Sequence, residues 1–237
     1  MYNPTRRNRN IGTSKQGQGQ NNIMSIPYVH NKEFYENLTD YKTIKKTIKE
    51  HEFIFVSEHT KPGYEHACSV EDIERIVKQI PNKDYGDLKF FVLRQPKRKE
   101  EILSSVWGRL IMSFSFNNES KPAIIIEALD YANRQYTINK KRSVEEQKEL
   151  ERLISDGHKI VDMGKNYSVN YDINSVRRTQ LYRTIPHEFG HYVHYRNFLI
   201  SYSHDQWLSF PTTEKEKVAH SYSERIRKNI ESQDAEK

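Results

Sequence analysis

Apolar residues recur along this chain in more than one rhythm, and each rhythm predicts a different kind of element. In "NKEFYENLTDYKTIKKTIKE" (31–50), Phe34, Leu38, Tyr41, Ile44 and Ile48 fall three or four apart, which predicts a helix capped by Asn31. "EFIFV" (52–56) alternates loosely and predicts a strand, and Pro62 and Gly63 mark a loop after it. Ser69 and Asp72 have capping-box spacing ahead of Ile73, Ile76, Val77 and Ile80, and Pro81 stops that helix. The rhythm then shortens: "DLKFFVL" (87–93), "VWGRLIMSFSF" (106–116) and "AIIIEAL" (123–129) read as strands. Ser143 and Glu146 open a further helix that Gly157 ends, and "HKIVDM" and "YSVNYD" flank Gly164-Lys165-Asn166 as a hairpin. The last third is helical over 175–200 and 213–230, with a Ser/Pro-rich loop between. Helices, then a sheet, then helices predict a single α+β domain over 23–237, divided into a helical lead (23–81) and a core (82–237).

Composition narrows the setting. Only 35% of residues are hydrophobic and the mean hydropathy is −0.91, so the surface is very polar. No run approaches the roughly 18 to 20 apolar residues of a membrane span. The N-terminal arginines have no apolar stretch behind them, so no secretory signal is expected and the default location is cytoplasmic, with export lacking a cleaved signal left open. Cys68 is the one cysteine, which rules out an internal disulfide and leaves only His and carboxylate ligands for a metal. The net charge of +6 is concentrated in residues 1–22, where Arg6, Arg7, Arg9 and Lys15 stand without an acid; the rest of the chain carries +2. This segment reads as a disordered basic tail, able to make weak contact with an acidic partner or nucleic acid, although a plain solvated tail is the simpler account.

The chemistry is concentrated in "HEFGHYVHY" (187–195). The same letters "HEF" at His51-Glu52-Phe53 lead nowhere, which shows what a chance match looks like. On a helix, His187 and His191 lie on one face about 6 Å apart along the axis and are placed to grip one Zn²⁺. Glu188, offset by one residue, reaches a water at the metal and is the candidate general base. Phe189, Gly190, Tyr192 and Val193 leave the motif without charged competitors.

"YRTIPHEFGHYVHY" (182–195) resembles the zincin metallopeptidases, in particular the gluzincin-type ImmA/IrrE-like group. The likeness is carried by Arg183, Thr184, Ile185, His187, Glu188, Gly190 and His191, and is specific only in this stretch. It implies a zincin-like fold: a small mixed or antiparallel sheet, an HExxH helix and a following helix that supplies a ligand. Pro186 departs from the pattern; the helix must begin near Thr184 or kink there.

Catalytic zinc sites use three protein ligands, so one more is needed. His194 lies about 10.5 Å from His187 along the axis, too far to share the metal on a straight helix, and reads as supporting a ligand from outside the metal's own set or as lining the cleft. "EKVAHSYS" (216–223) is similar to the pattern by which gluzincins supply a carboxylate, which makes Glu216 the choice. Ala219 and Ser223 share its face and leave room for a close helix approach. Two alternatives stand: Thr213 and Glu216 also fit a capping box, and His204, in a faint likeness to SprT-like proteases, is the runner-up ligand. The resulting expectation is a zinc-dependent endopeptidase acting on a protein or peptide, with His187, His191 and Glu216 holding Zn²⁺. Tyr192, Tyr195, His194, His220 and Tyr222 are candidates to stabilise the oxyanion. The competing classes are a non-catalytic zinc-stabilised regulatory or binding module and a SprT-like nucleic-acid-associated protease.

Overall fold

The computed structural model describes residues 37–97, 107–140 and 144–235, and Leu38–Lys237 forms one compact unit. The tail (1–22), the Asn31 cap and the Ser143 cap lie outside the described residues. The architecture is α+β. A five-stranded mixed sheet contains β1 (Tyr41–Ile48), β2 (His51–Glu58), β4 (Phe90–Arg94), β5 (Gly108–Phe116) and β6 (Glu119–Glu127), in the order β1-β2-β4-β6-β5. β2, β4 and β6 are parallel, and the two edge strands β1 and β5 are antiparallel to their neighbours. The continuous apolar runs of β2 and β4 follow from this, because parallel central strands are covered on both faces.

Residues 41–48 are a strand rather than part of the predicted helix, so the expected helical lead contributes β1 and β2 to the same sheet as the core. Tyr41, Ile44 and Ile48 do match helical spacing. However, Thr43, Ile44, Thr47 and Ile48 are β-branched, and β1 pairs with β2 from Tyr41↔Glu58 to Ile48↔His51. The two-residue turn Lys49–Glu50 has positive φ at both positions (47° and 67°), as does Asn117–Asn118 between β5 and β6 (48° and 65°). Lys42, Lys45 and Lys46 charge the outer strand, a common protection for an open sheet edge.

The predicted helix after Ser69 forms as α1 (Val70–Val77), with the Ser69–Asp72 capping box closed and Ile73, Ile76 and Val77 fully buried. Two short strands, β3 (Tyr64–Glu65) and β7 (Leu129–Asp130), pair with each other. The predicted hairpin is present as β9 (Lys159–Asp162) and β10 (Asn166–Asn170), joined on its other side by β8 (Gln135–Asn139). α2 (Val144–Ser155) ends at Gly157, which has φ +93°. The C-terminal helices are α3 (Ile173–Thr179), α4 (Ile185–Phe198), α5 (His204–Ser209) and α6 (Thr212–Ala235). α5 falls where a Ser/Pro-rich loop is predicted; Ser203 and Gln206 cap it reciprocally. The core joins sheet residues Phe53, Phe55, Phe91 and Ile124 to Ile185, Phe189 and Ile226 of the helices. Among the described residues no helix is long and apolar enough to cross a membrane.

Candidate metal centre

The segment that carries the motif is set in place from its N-terminal side. Asp172 caps α3 by accepting from the N–H groups of Asn174 and Ser175, each at 2.9 Å. The chain then widens into a π-helical turn, Gln180–Thr184, closed by Ile185 N–H donating to the Gln180 carbonyl. This is how Pro186 is accommodated: α4 begins at Ile185, and the proline sits in its first turn, where a missing N–H costs little. Gln180, fully buried, donates to the carbonyls of Trp107 (3.1 Å) and Glu127 (2.8 Å), pinning the wide turn beside the start of β5 and the end of β6. Gly108 allows the close contact there, since a Cβ would lie 2.8 Å from Thr184 Cγ2 and 2.6 Å from the Ile125 carbonyl.

α4 and α6 pack antiparallel at close range. A Cβ at Gly190 would lie 2.8 Å from Ala219 Cα and 3.0 Å from its carbonyl oxygen. One turn away, Ser223 Oγ donates to the Arg183 carbonyl at 3.1 Å. The small face expected from Ala219 and Ser223 is thus the contact surface, and both residues are buried. This approach brings Glu216 to the histidines: Oε2 lies 3.2 Å from His187 Nε2 and Oε1 lies 3.3 Å from His191 Nε2. Hydrogen bonds from His187 and His191 hold the Glu216 carboxyl well below the usual carboxylate range despite its partial burial.

The clustered imidazoles and carboxylate could hold a metal ion. Ligand atoms bonded at about 2.0–2.1 Å to one tetrahedral ion lie about 3.3 Å apart, and each imidazole–carboxylate separation, made to a different Glu216 oxygen, is of that size. A second grouping overlaps the first: one atom each from His187, Glu216 and His220 lie within 4.8 Å of one another. The His187–His220 and His187–His191 ring centroids are both 4.6 Å apart. His187, Glu216 and His220 are the three whose donor atoms are all mutually close, and His191 joins them through its contact with the second Glu216 oxygen. Burial, then the neighbouring His187, pushes His220 down to about 4, so its imidazole is neutral at ordinary pH.

Glu188 stands apart from these donors. It is half-buried, and Oε2 accepts the Leu110 N–H of edge strand β5 at 2.8 Å. Loss of solvation raises its pKa; the two imidazoles and the Leu110 N–H act in the opposite direction. It opens on a cleft of about 410 Å³ lined by Trp107, Gly108, Thr184, His187 and His220 among others. Arg183, which also lines the cleft, is held by Glu149 (3.1 Å) and by the buried Asp156 (2.6 Å from Nε).

Several expected roles fall elsewhere. His204 is exposed at the start of α5, with Nδ1 3.1 Å from the Tyr195 hydroxyl, and is not brought to the donor set. His194 packs edge-on against Trp207 and Phe210, away from the cleft around Glu188. Thr213 lies inside the first turn of α6, so it is not a cap, and the Glu216 carboxylate faces the imidazoles instead. Of the oxyanion candidates, Tyr192 accepts the Asp87 N–H (2.6 Å), Tyr222 donates to Asp84 (2.8 Å) and Tyr195 meets His204; His220 alone lines the cleft. The Leu110 N–H and Gln180 were not anticipated. The first is a backbone group and carries no sequence signal, and the second is a buried amide whose partners are carbonyls far along the chain. No family model matches the chain, and no curated protein or solved structure is found to be similar to it.

Proposed function

We propose that this protein is a zinc-dependent endopeptidase with a zincin-like fold, in which His187, His191 and Glu216 hold the metal and Glu188 is the general base. The observation that carries the reading is the division of labour on one helical turn. Two imidazoles meet the carboxylate of Glu216, while the adjacent Glu188 turns to the edge strand and the cleft. A purely structural metal site has no use for that second carboxylate, which argues against the non-catalytic module.

Bound zinc would supply a Lewis acid and make water acidic enough to be deprotonated near neutral pH. Glu188 takes the proton of the attacking water and passes it to the leaving amine, so one water is consumed and one peptide bond is broken. The Leu110 N–H keeps the carboxylate aimed during this shuttle. β5 is an edge strand, and an extended substrate segment laid along it would be held by backbone pairing, which suits a protein or peptide substrate. The buried, unpaired Cys68 is consistent with a reducing, cytoplasmic setting.

The test uses the zinc-loaded full chain with fluorescein-labelled casein and a panel of unstructured peptides. Cleavage that stops on chelation and returns with one equivalent of zinc is expected. A protein that binds zinc but cleaves none of them is a metal module and not a peptidase.

A further inference from the structure

His187 and His191 on α4, and Glu216 and His220 on α6, are two pairs with the same four-residue spacing on two facing helices. Each pair presents its groups about 6 Å apart along its own axis. The Gly190–Ala219 contact holds the two faces together. His187 therefore touches both its helical neighbour His191 and, across the interface, His220, at equal ring separations of 4.6 Å.

We propose that His220 is a fourth protein ligand of the metal in the resting protein, and that the centre opens when His220 turns into the cleft it lines. This rests on the zinc-peptidase reading of the same residues. Its donor atom lies within 4.8 Å of those of His187 and Glu216, so a rotation of the imidazole closes the remaining distance. No hydrogen bond holds His220 to another group among the described residues, and the cleft gives it space to leave. A four-ligand zinc site is closed, whereas hydrolysis needs one open position. Release of His220 on substrate entry would therefore confine water activation to the occupied cleft.

Zinc K-edge X-ray absorption on the zinc-loaded, substrate-free full chain counts the imidazoles directly. Three per zinc are expected in the wild type, and two with an added oxygen in His220→Ala. Zinc affinity measured against a chromophoric chelator should fall in His220→Ala and His220→Gln by more than about tenfold, the loss that even outer partners of a metal site produce. Two imidazoles in the wild-type spectrum overturn the proposal and leave the peptidase reading standing. Absence of bound zinc removes both. The wild-type count decides the matter even if a variant fails to fold.

Discussion

The carboxylate of Glu188 accepts a 2.8 Å hydrogen bond from the backbone N–H of Leu110, 78 residues earlier in the chain. The bond joins the motif-bearing helix α4 to the edge strand β5, so the proposed general base and the strand proposed to hold the substrate share a fixed geometry. Glutamine retains an acceptor for Leu110 but does not act as a base. Glu188→Gln should therefore leave zinc content and thermal stability near wild type while lowering kcat by about 10²–10⁴-fold. Elemental analysis beside casein cleavage checks this, and a variant cleaving at the wild-type rate removes Glu188 as the base.

Gly190 sets the distance between α4 and α6, the helices that carry the proposed ligands. Gly190→Ala places its new Cβ against the Ala219 backbone, which has no flexible end to yield. A loss of about 1–3 kcal/mol in urea denaturation is expected, together with weaker zinc binding. Because the clash is with Cα and the carbonyl oxygen, Ala219→Gly should not rescue it. Rescue would place the contact elsewhere.

Asp172 caps the helix that leads into the π turn. Hydrogen bonds from the Ser175 and Asn174 backbone N–H groups hold its carboxyl below the ordinary value. A depressed folded-state pKa contributes stability that is fully present above the unfolded value near 3.9 and is lost as the pH falls below it. Asp172→Ala should thus cost about 0.5–2 kcal/mol at pH 7. The gap between variant and wild type should narrow below about pH 4 in denaturation curves taken across that range. A gap independent of pH would mean that the charged cap is not its source.

How much of this was legible in the chain depended on how local each cause was. α1 could be read because its cap, apolar stripe and stop all lie within thirteen residues, from Ser69 to Pro81. The approach of Glu216 to His187 and His191 was legible because spacing puts the two histidines on one face and because "EKVAHSYS" resembles the gluzincin pattern, with Ala219 and Ser223 on the face of Glu216. β1 departs from the predicted helix: Tyr41, Ile44 and Ile48 happen to keep helical intervals, and Lys49–Glu50 makes a tight hairpin turn without Asn or Gly. The equivalent turn at Asn117–Asn118 does carry the expected residue type. The π turn was not legible, since it depends on Gln180 reaching the Trp107 and Glu127 carbonyls and on Ser223 reaching Arg183.

If Glu216 completes a metal site with the two histidines, zinc content must follow its mutation. The wild type should hold about one zinc per chain. Glu216→Ala should lose it, because the carboxylate that meets both Nε2 atoms is gone. Thr213→Ala should keep it, since Thr213 is an ordinary first-turn residue of α6. Wild-type zinc content in Glu216→Ala would contradict the account.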